Sequence, residues 1–242
     1  MATYDRIGVN YARLRQPDPR IAALIDAALG DAKSVLNVGA GTGSYEPVAR
    51  MVTALEPSSE MISQRPEGAA PVVQGSAESL PFDDDSFDAV MAVLTIHHWA
   101  DQPKGLAEMR RVSRGPVVIL TFDPAFRGFW LTDYFPGLIA LDEEKMPPMG
   151  LYGDHLGPVE ILPVPIPHDC TDGFLAAYWR RPELYLDPRI RAAMSSFWAL
   201  GEEAEAGVAA LAADLESGAW AEKYGAVMDR PALDCGYRLV VG

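Results

Sequence analysis

The chain has 242 residues, of which 49% are hydrophobic and 22% are charged, and its formal net charge is −14 at pH 7. These values are typical of globular proteins and exclude disordered, collagen-like and disulfide-scaffold classes. The acidic balance argues against a nucleic-acid surface and a polybasic membrane patch, so we expect neither partner. We also expect no secretory signal, because charged residues precede any apolar run, and no membrane helix of roughly 18 apolar residues.

The two cysteines, Cys170 and Cys235, lie far apart in the sequence. This spacing favours two reduced thiols over a disulfide or a metal site. Neither His155 nor His168 has the spacing of a metal ligand, so we expect no metal. The chain is therefore predicted to be a soluble cytoplasmic protein.

Strand-like and helix-like segments alternate through the first half of the chain. Short apolar runs predict five strands, at 34–38, 51–55, 71–74, 87–94 and 116–122. Helical patterns occur at 19–29, 58–65 and 101–114. Because the strands are apolar almost throughout, they predict a mostly parallel sheet with helices on both faces.

Beyond residue 125 the pattern is mostly helical, with predicted helices at 126–141, 171–181 and 188–215. Prolines at 163, 165 and 167 permit only an edge strand there. Residues 237–241 predict a closing strand. Residues 126–242 carry 18 acidic and 9 basic residues, so more than half of the net negative charge lies in this part.

The first predicted strand runs into the turn Gly39-Ala-Gly-Thr-Gly43, which we expect to lead into a helix. Glycines let the backbone approach a ligand closely, and the first N–H groups of a helix are free to bind it. Glu56 ends the second strand, at a spacing suited to accept the hydroxyls of a ribose. Ser44 stands where a dinucleotide-binding turn has its third glycine, which favours a ligand without a pyrophosphate.

Several motifs, in order over residues 30–122, resemble those of class I S-adenosylmethionine-dependent methyltransferases, most closely the type 11 small-molecule group. Residues 35–43 resemble motif I, 55–62 the ribose and adenine segment, and 74–82 the loop at the adenine edge. Residues 85–90 and 94–99 resemble the fourth strand and its exit.

The resemblance implies S-adenosylmethionine as the cofactor and a set of residues that would bind it. Gly39, Ala40 and Gly41 would line its methionyl and ribose part, and Glu56 would hold the ribose. Met61 would pack on adenine, although an ordinary core methionine is the alternative, and Ser76 and Ala77 would meet the adenine edge. The other candidates are Asn37, Pro57, Leu94 and, in an N-terminal segment that folds over the cofactor in similar enzymes, Tyr11 and Arg15.

Two positions depart from the family pattern. Asn37 stands where Asp or Glu is usual, and it supplies no negative charge to the ammonium of the cofactor. Ser76 stands where Asp is common, so the adenine amino group loses a carboxylate acceptor. Each loss is worth roughly 1.5–3 kcal/mol if nothing replaces it. We expect other residues to compensate.

His97 is the candidate catalytic residue. It follows the fourth strand, where the carboxyl ends of a parallel sheet meet ligands, and it matches the histidine base of small-molecule O-methyltransferases. A histidine can take a proton from a hydroxyl or an amine as that group attacks the methyl group. The alternative is a histidine that only packs, since a neutral amine or an activated carbon needs no base.

These observations predict a single α/β domain over residues 1–242, a Rossmann-like three-layer sandwich. Its sheet would have seven strands, mostly parallel with an antiparallel last strand, and would be covered by a helical lid. The predicted parts are an N-terminal helical cover (1–30), a cofactor-binding core (31–125), a helical substrate cover (126–232) and the last strand (233–242).

The predicted activity is methyl transfer from S-adenosylmethionine to an oxygen, nitrogen or carbon of a small molecule. The alternatives are a protein of the same fold that uses the cofactor for another reaction, such as a cyclisation, or that only binds it. A nicotinamide oxidoreductase is disfavoured by Ser44 and Pro47. The sequence leaves the oligomeric state open, and its acidity favours a neutral or cationic acceptor.

Overall fold

The computed structural model describes residues 15–242. Tyr11, one of the predicted cofactor-binding residues, lies outside the described residues. The described part contains nine strands: β1 (Ser34–Val38), β2 (Met51–Glu56), β3 (Val72–Gln74), β4 (Ala89–Val93), β5 (Val117–Phe122), β6 (Glu160–Pro163), β7 (Ile166–Pro167), β8 (Ala232–Leu233) and β9 (Tyr237–Val241).

The same part contains ten α-helices: α1 (Pro19–Ala28), α2 (Ser59–Ser63), α3 (Gln102–Val112), α4 (Leu131–Tyr134), α5 (Gly137–Lys145), α6 (Met149–Leu156), α7 (Pro188–Arg191), α8 (Ser195–Leu200), α9 (Glu202–Ser217) and α10 (Ala219–Tyr224). Three short 3₁₀ segments lie at Ile96–His98, Pro182–Leu186 and Gly225–Asp229. None of the described helices is long and apolar enough to cross a membrane.

Seven strands form one twisted sheet in the order β3-β2-β1-β4-β5-β9-β6. The first five are parallel to one another, and β9 is antiparallel to both β5 and β6. This arrangement confirms the predicted sheet with its antiparallel last strand. The proline-rich segment forms β6 at the sheet edge, where a missing N–H donor is tolerated, and β7 and β8 pair separately.

The sheet is the middle of three layers because successive side chains of each strand point to opposite faces. On one face Leu36, Val38 and Ile119 pack with residues of α3 and α6, including Leu106 and Tyr152. On the other face Val35, Met91 and Leu120 pack with Ile21 and Ile25 of α1 and with the aromatic residues of the cover. Both faces of the central strands are therefore buried, as their apolar sequences predict, whereas the edge strand β6 is exposed.

Two predicted helices are wrong. Residues 39–50, after the glycine turn, form a series of turns without a helix, and Tyr45 has a positive φ of 63°. Residues 171–181 also form turns rather than a helix. There the indole N–H of Trp179 donates to the carbonyl of Ile166, 2.9 Å away, and Trp130 donates to the carbonyl of Trp179. These long-range bonds hold the segment in a conformation that its helical pattern does not reveal.

Asp18 fastens the start of α1 to the cover. Its carboxylate caps the helix through the Arg20 N–H, pairs with the Arg20 side chain at 2.7 Å and accepts from the Thr171 N–H. Burial raises the pKa of Asp18, but the hydrogen bonds from Arg20 and Thr171 outweigh it and lower the pKa to about 2. The ionised form of Asp18 is therefore more stable, relative to the protonated form, in the folded protein than in the unfolded chain.

We expect Asp18→Asn to lower the free energy of unfolding at pH 7 by about 1–3 kcal/mol, because a buried charged hydrogen bond is lost. Since the pKa falls on folding, this stabilisation is complete above about pH 4 and disappears as the pH falls toward 2. Urea denaturation between pH 7 and pH 3, followed by circular dichroism, measures the difference between variant and wild type.

The control is Asp26→Asn. In the wild type the half-exposed carboxylate of Asp26 pairs with Arg50 at 2.8 Å. An exposed pair contributes about 0–1 kcal/mol, so this variant stays close to the wild type. A difference between Asp18→Asn and wild type that does not shrink at low pH contradicts the assignment of the stabilisation to an ionised Asp18.

Candidate active site

Two adjoining cavities open at the carboxyl ends of the parallel strands. The first, of about 610 Å³, is lined by the glycine turn, the ends of β2 and β4, and residues 74–78. The second, of about 800 Å³, lies between the segment 97–103 and the cover. Both are lined by Arg15, Leu94, His98, Trp99 and Ala100. We call the first the cofactor cavity and the second the acceptor cavity, after the roles proposed for them.

All the predicted cofactor-binding residues that the structure describes line the cofactor cavity. They are Arg15, Asn37, Gly39, Ala40, Gly41, Glu56, Pro57, Met61, Ser76, Ala77 and Leu94. The fold thus brings together residues that are as far apart as 79 positions in the sequence. Their contact with a cofactor stays a prediction.

The glycine turn wraps around the end of β2. The N–H groups of Gly39 and Ala40 both donate to the carbonyl of Leu55, at 2.9 and 3.0 Å. Gly39 has a φ of +68°, and a Cβ there would lie 2.2 Å from Oγ1 of Thr95. Only glycine fits this position, because both the backbone angle and the approach to Thr95 exclude a side chain.

A buried ion pair holds the turn in place where a helix was expected. Arg65 pairs with Glu46 at 2.8 Å, and both side chains are nearly buried. Arg65 also donates to the carbonyl of Gly41, and the amide of Asn37 donates to Glu46 at 3.2 Å. Asn37 therefore supports the turn through its amide, which accounts for an uncharged residue at this position.

Glu56 is buried at the end of β2 and faces the cavity. One carboxylate oxygen accepts the N–H of Gly41 at 2.8 Å, and the other accepts the N–H of Ser58 at 2.9 Å. Each carboxylate oxygen thus accepts one backbone N–H, and these two bonds fix the orientation of the side chain at the cavity wall. The same residue thus shapes the turn and presents an acceptor to the cavity.

Glu78 supplies a carboxylate near position 76, where Ser replaces the usual Asp. It lines the cofactor cavity and accepts the N–H groups of Ala100 and Asp101, at 2.7 and 3.2 Å. Burial raises its pKa, but backbone N–H groups and the hydroxyl of Ser76 donate to the carboxylate and lower the pKa overall. Glu78 therefore stays ionised, and it is a candidate for the compensation expected from the sequence, which stays a prediction.

Arg15 lies where the two cavities meet. Its guanidinium donates to Asp172 at 2.6 Å, and Asp172 also accepts the hydroxyl of Tyr45 at 2.9 Å. The prediction that the N-terminal segment covers the cofactor thus rests, within the described residues, on Arg15 alone. Tyr45 and Asp172 were not predicted as site residues, because their pairing joins positions 127 residues apart.

His97 lines the acceptor cavity and does not line the cofactor cavity. Its Nδ1 is buried and has no hydrogen-bond partner within residues 15–242. Burial, together with the nearby His98 and Arg15, holds the pKa of His97 well below its usual value, so the ring is neutral at physiological pH. His98, whose ring centre is 3.9 Å away, faces both cavities and was missed in the sequence analysis.

Known proteins with similar sequences and structures identify the family. A methyltransferase-domain model matches residues 36–119. The crystal structure of a putative methyltransferase from an antibiotic biosynthesis pathway of Anabaena variabilis ATCC 29413 is 38% identical. The match covers 94% of this chain and 98% of that one, with a TM-score of 0.86. The chain belongs to the class I S-adenosylmethionine-dependent methyltransferases, as its motifs predict.

Curated relatives match a shorter part of the chain. The chloroplastic 2-methyl-6-phytyl-1,4-hydroquinone methyltransferase 2 of Oryza sativa subsp. japonica is 34% identical over 129 residues, which cover 49% of this chain and 37% of that protein. The chain spans about a third to a half of the length of the curated relatives it matches. A [4+2]-cyclase, 19% identical, shares the fold, with a TM-score of 0.52 over 92% of this chain and 79% of that one.

We expect Gly39→Ala to weaken S-adenosylmethionine binding at least about tenfold, because the new Cβ displaces Thr95 and strains the turn. Isothermal titration calorimetry measures the affinity. The control is Gly30→Ala. Gly30 lies outside both cavities and has a similar φ of +55°, but no atom lies within 4 Å of the position that its Cβ would take. Equal affinities for Gly39→Ala and wild type would show that the cofactor does not bind against this turn.

Proposed function

We propose that the protein transfers the methyl group of S-adenosylmethionine to a small molecule held in the acceptor cavity. The observation that carries the proposal is the junction of the two cavities at Arg15, Leu94 and His98. A group bound in one cavity can reach a group bound in the other there. Catalysis then depends mainly on proximity and alignment, which are worth about 7–11 kcal/mol in well-oriented reactions.

The residues of the cofactor cavity fit S-adenosylmethionine. The backbone of Gly39 packs directly against Thr95, which also lines this cavity, and a side chain at position 39 would displace that part of the wall. We propose that Glu56 accepts the ribose hydroxyls, that Met61 and Pro57 contact adenine, and that Glu78 and Ala77 meet the adenine edge. When bound, the sulfonium supplies a methyl group whose transfer neutralises its positive charge.

The acceptor is proposed to be a small molecule, as it is for the hydroquinone methyltransferase relatives. Its cavity combines aromatic walls from Trp99, Phe122, Phe174 and Tyr237 with polar groups near the junction. Aromatic walls suit a planar or apolar acceptor, and a few polar groups fix its orientation. The atom that receives the methyl group can be oxygen, nitrogen or carbon.

Two measurements test the function. Calorimetry should show binding of S-adenosylmethionine, and incubation with a panel of hydroquinones, catechols and aromatic amines should release S-adenosylhomocysteine. Absence of binding at high micromolar cofactor contradicts the proposal. Tight binding without release from any acceptor favours the alternatives, a binding protein or a reaction such as a cyclisation.

His97 is proposed to accept the proton of the acceptor. Because its pKa lies far below 6.5, it is a neutral but weak base. We therefore expect His97→Ala to lower kcat about 10²-fold, the lower end of the range for general bases, without changing cofactor affinity. His155→Ala, outside both cavities, is the control and should keep the wild-type rate.

The pH profile gives a second check on His97. A residue that stays neutral cannot produce an inflection between pH 6 and pH 8, so the profile of His97→Ala should parallel that of the wild type over this interval. An unchanged kcat in the variant assigns His97 to packing. An inflection near pH 6.5 that the substitution removes contradicts the lowered pKa.

A further inference from the structure

Asp142 is a carboxylate in the wall of the acceptor cavity, on helix α5 of the cover. Its side chain accepts no hydrogen bond and forms no ion pair with any residue of the described part, 15–242. A partly buried carboxylate without a partner is unfavourable, because it loses hydration and gains nothing in return. Such a group in the wall of a ligand cavity indicates a partner that arrives with the ligand.

The other charged groups around this cavity already have partners. Arg15 pairs with Asp172 at 2.6 Å, and Lys145 pairs with Glu144 at 2.5 Å. Asp101 accepts the N–H of Lys104 at the start of α3. Arg127, the cation beside Asp142, donates to Glu143 and to backbone carbonyls. Among the charged residues of the wall that the structure describes, Asp142 alone forms neither a hydrogen bond through its side chain nor an ion pair within residues 15–242.

Aromatic rings stand next to Asp142 in the same cavity. Phe122 and Tyr237 contact each other with ring centres 5.5 Å apart, and Phe174 lies 4.8 Å from Tyr237. All three line the acceptor cavity with Asp142. The face of an aromatic ring attracts a cation, so a carboxylate among such rings is suited to an organic ammonium group.

We propose that Asp142 and the rings of Phe122, Phe174 and Tyr237 bind an ammonium group of the methyl acceptor. The acceptor is then an organic ammonium compound that receives the methyl group at another atom, because an ammonium nitrogen has no lone pair to accept it. The inference rests on the proposed function and deepens it by naming the acceptor class. The ion pair between Asp142 and the ammonium group holds the acceptor in the cavity. It takes no part in proton transfer at the atom that is methylated.

The electrostatics of Asp142 agree with this role. Burial raises its pKa to about 7, and the charge of Arg127 opposes that shift only in part. An ammonium group bound beside the carboxylate stabilises the ionised form and brings the pKa back down. The net charge of −14 attracts a cation toward the protein over a longer range.

The test uses the whole protein saturated with S-adenosylhomocysteine, so that only the acceptor cavity is probed. Calorimetry at pH 7.5 compares three probes of similar shape: 2-phenylethylammonium, the neutral 2-phenylethanol and the anionic phenylacetate. The wild type is expected to bind the ammonium at least about tenfold more tightly than the alcohol, which is the effect of one charged hydrogen bond.

Asp142→Asn keeps the shape of the side chain and removes its charge, so the preference for ammonium over alcohol should fall to about twofold or less. Asp154→Asn is the matched control: it removes one exposed carboxylate of the cover that lines neither cavity, and the preference should remain. Binding of S-adenosylhomocysteine by each variant reports that it is folded.

Three outcomes overturn the inference. They are no ammonium preference or no ammonium binding in the wild type, an unchanged preference in Asp142→Asn, and an equal loss in Asp154→Asn, which would indicate net charge rather than a specific pair. A wild type without an ammonium preference overturns the inference even if the variant does not fold. A wild type that binds neither S-adenosylmethionine nor its product contradicts the proposed function instead, so the two failures are distinguishable.

Discussion

One buried carboxylate, that of Asp172, joins three separate parts of the chain beside the cavities. It pairs with Arg15 of the N-terminal segment, accepts the hydroxyl of Tyr45 from the loop after the glycine turn, and itself belongs to the cover. The backbones of Arg15 and Asp172 also form an isolated β-bridge. Leaving one partner of a buried pair uncompensated costs about 3–5 kcal/mol, so the three parts are held in one arrangement. Because Arg15 lines both cavities, their junction depends on this carboxylate.

The loop after the glycine turn shows why such an anchor is needed. It has no helix to satisfy its backbone groups, and Tyr45 adopts a positive φ that costs a non-glycine residue about 1–2 kcal/mol. Its hydroxyl, held between Asp172 and the N–H of Asp18, compensates for this strain from one side. The ion pair between Glu46 and Arg65 holds the loop from the other. Side-chain contacts thus hold the loop in place without a helix, and the hydrogen bond from Asn37 to Glu46 is one of these contacts.

How far the sequence predicts the structure depends on how local the cause of each feature is. Strands β1 and β9 have the predicted bounds, because an apolar run between turn residues is a local signal. The turns at 171–181 were not predictable, since the indole of Trp179 bonds to a carbonyl 13 residues away in the chain. Likewise Asp142 stands in a run of acidic residues that suggests a solvated helix face, and only the fold places it in a cavity. Motif spacing predicts the residues of the cofactor cavity because the glycine turn and the strand ends determine their positions.

The distribution of charge in the cover gives the acidity of the chain a more specific meaning. Most acidic side chains that pair there do so near the surface, as Asp133 with Lys223 and Asp187 with Arg189. In water such pairs contribute little to stability, and salt screens them. Asp142 differs, because it is partly buried, has no such partner within residues 15–242 and faces a cavity in which a charge interacts more strongly. The surface charge can therefore influence how fast a cation arrives, whereas the carboxylate in the cavity can influence which ligand stays.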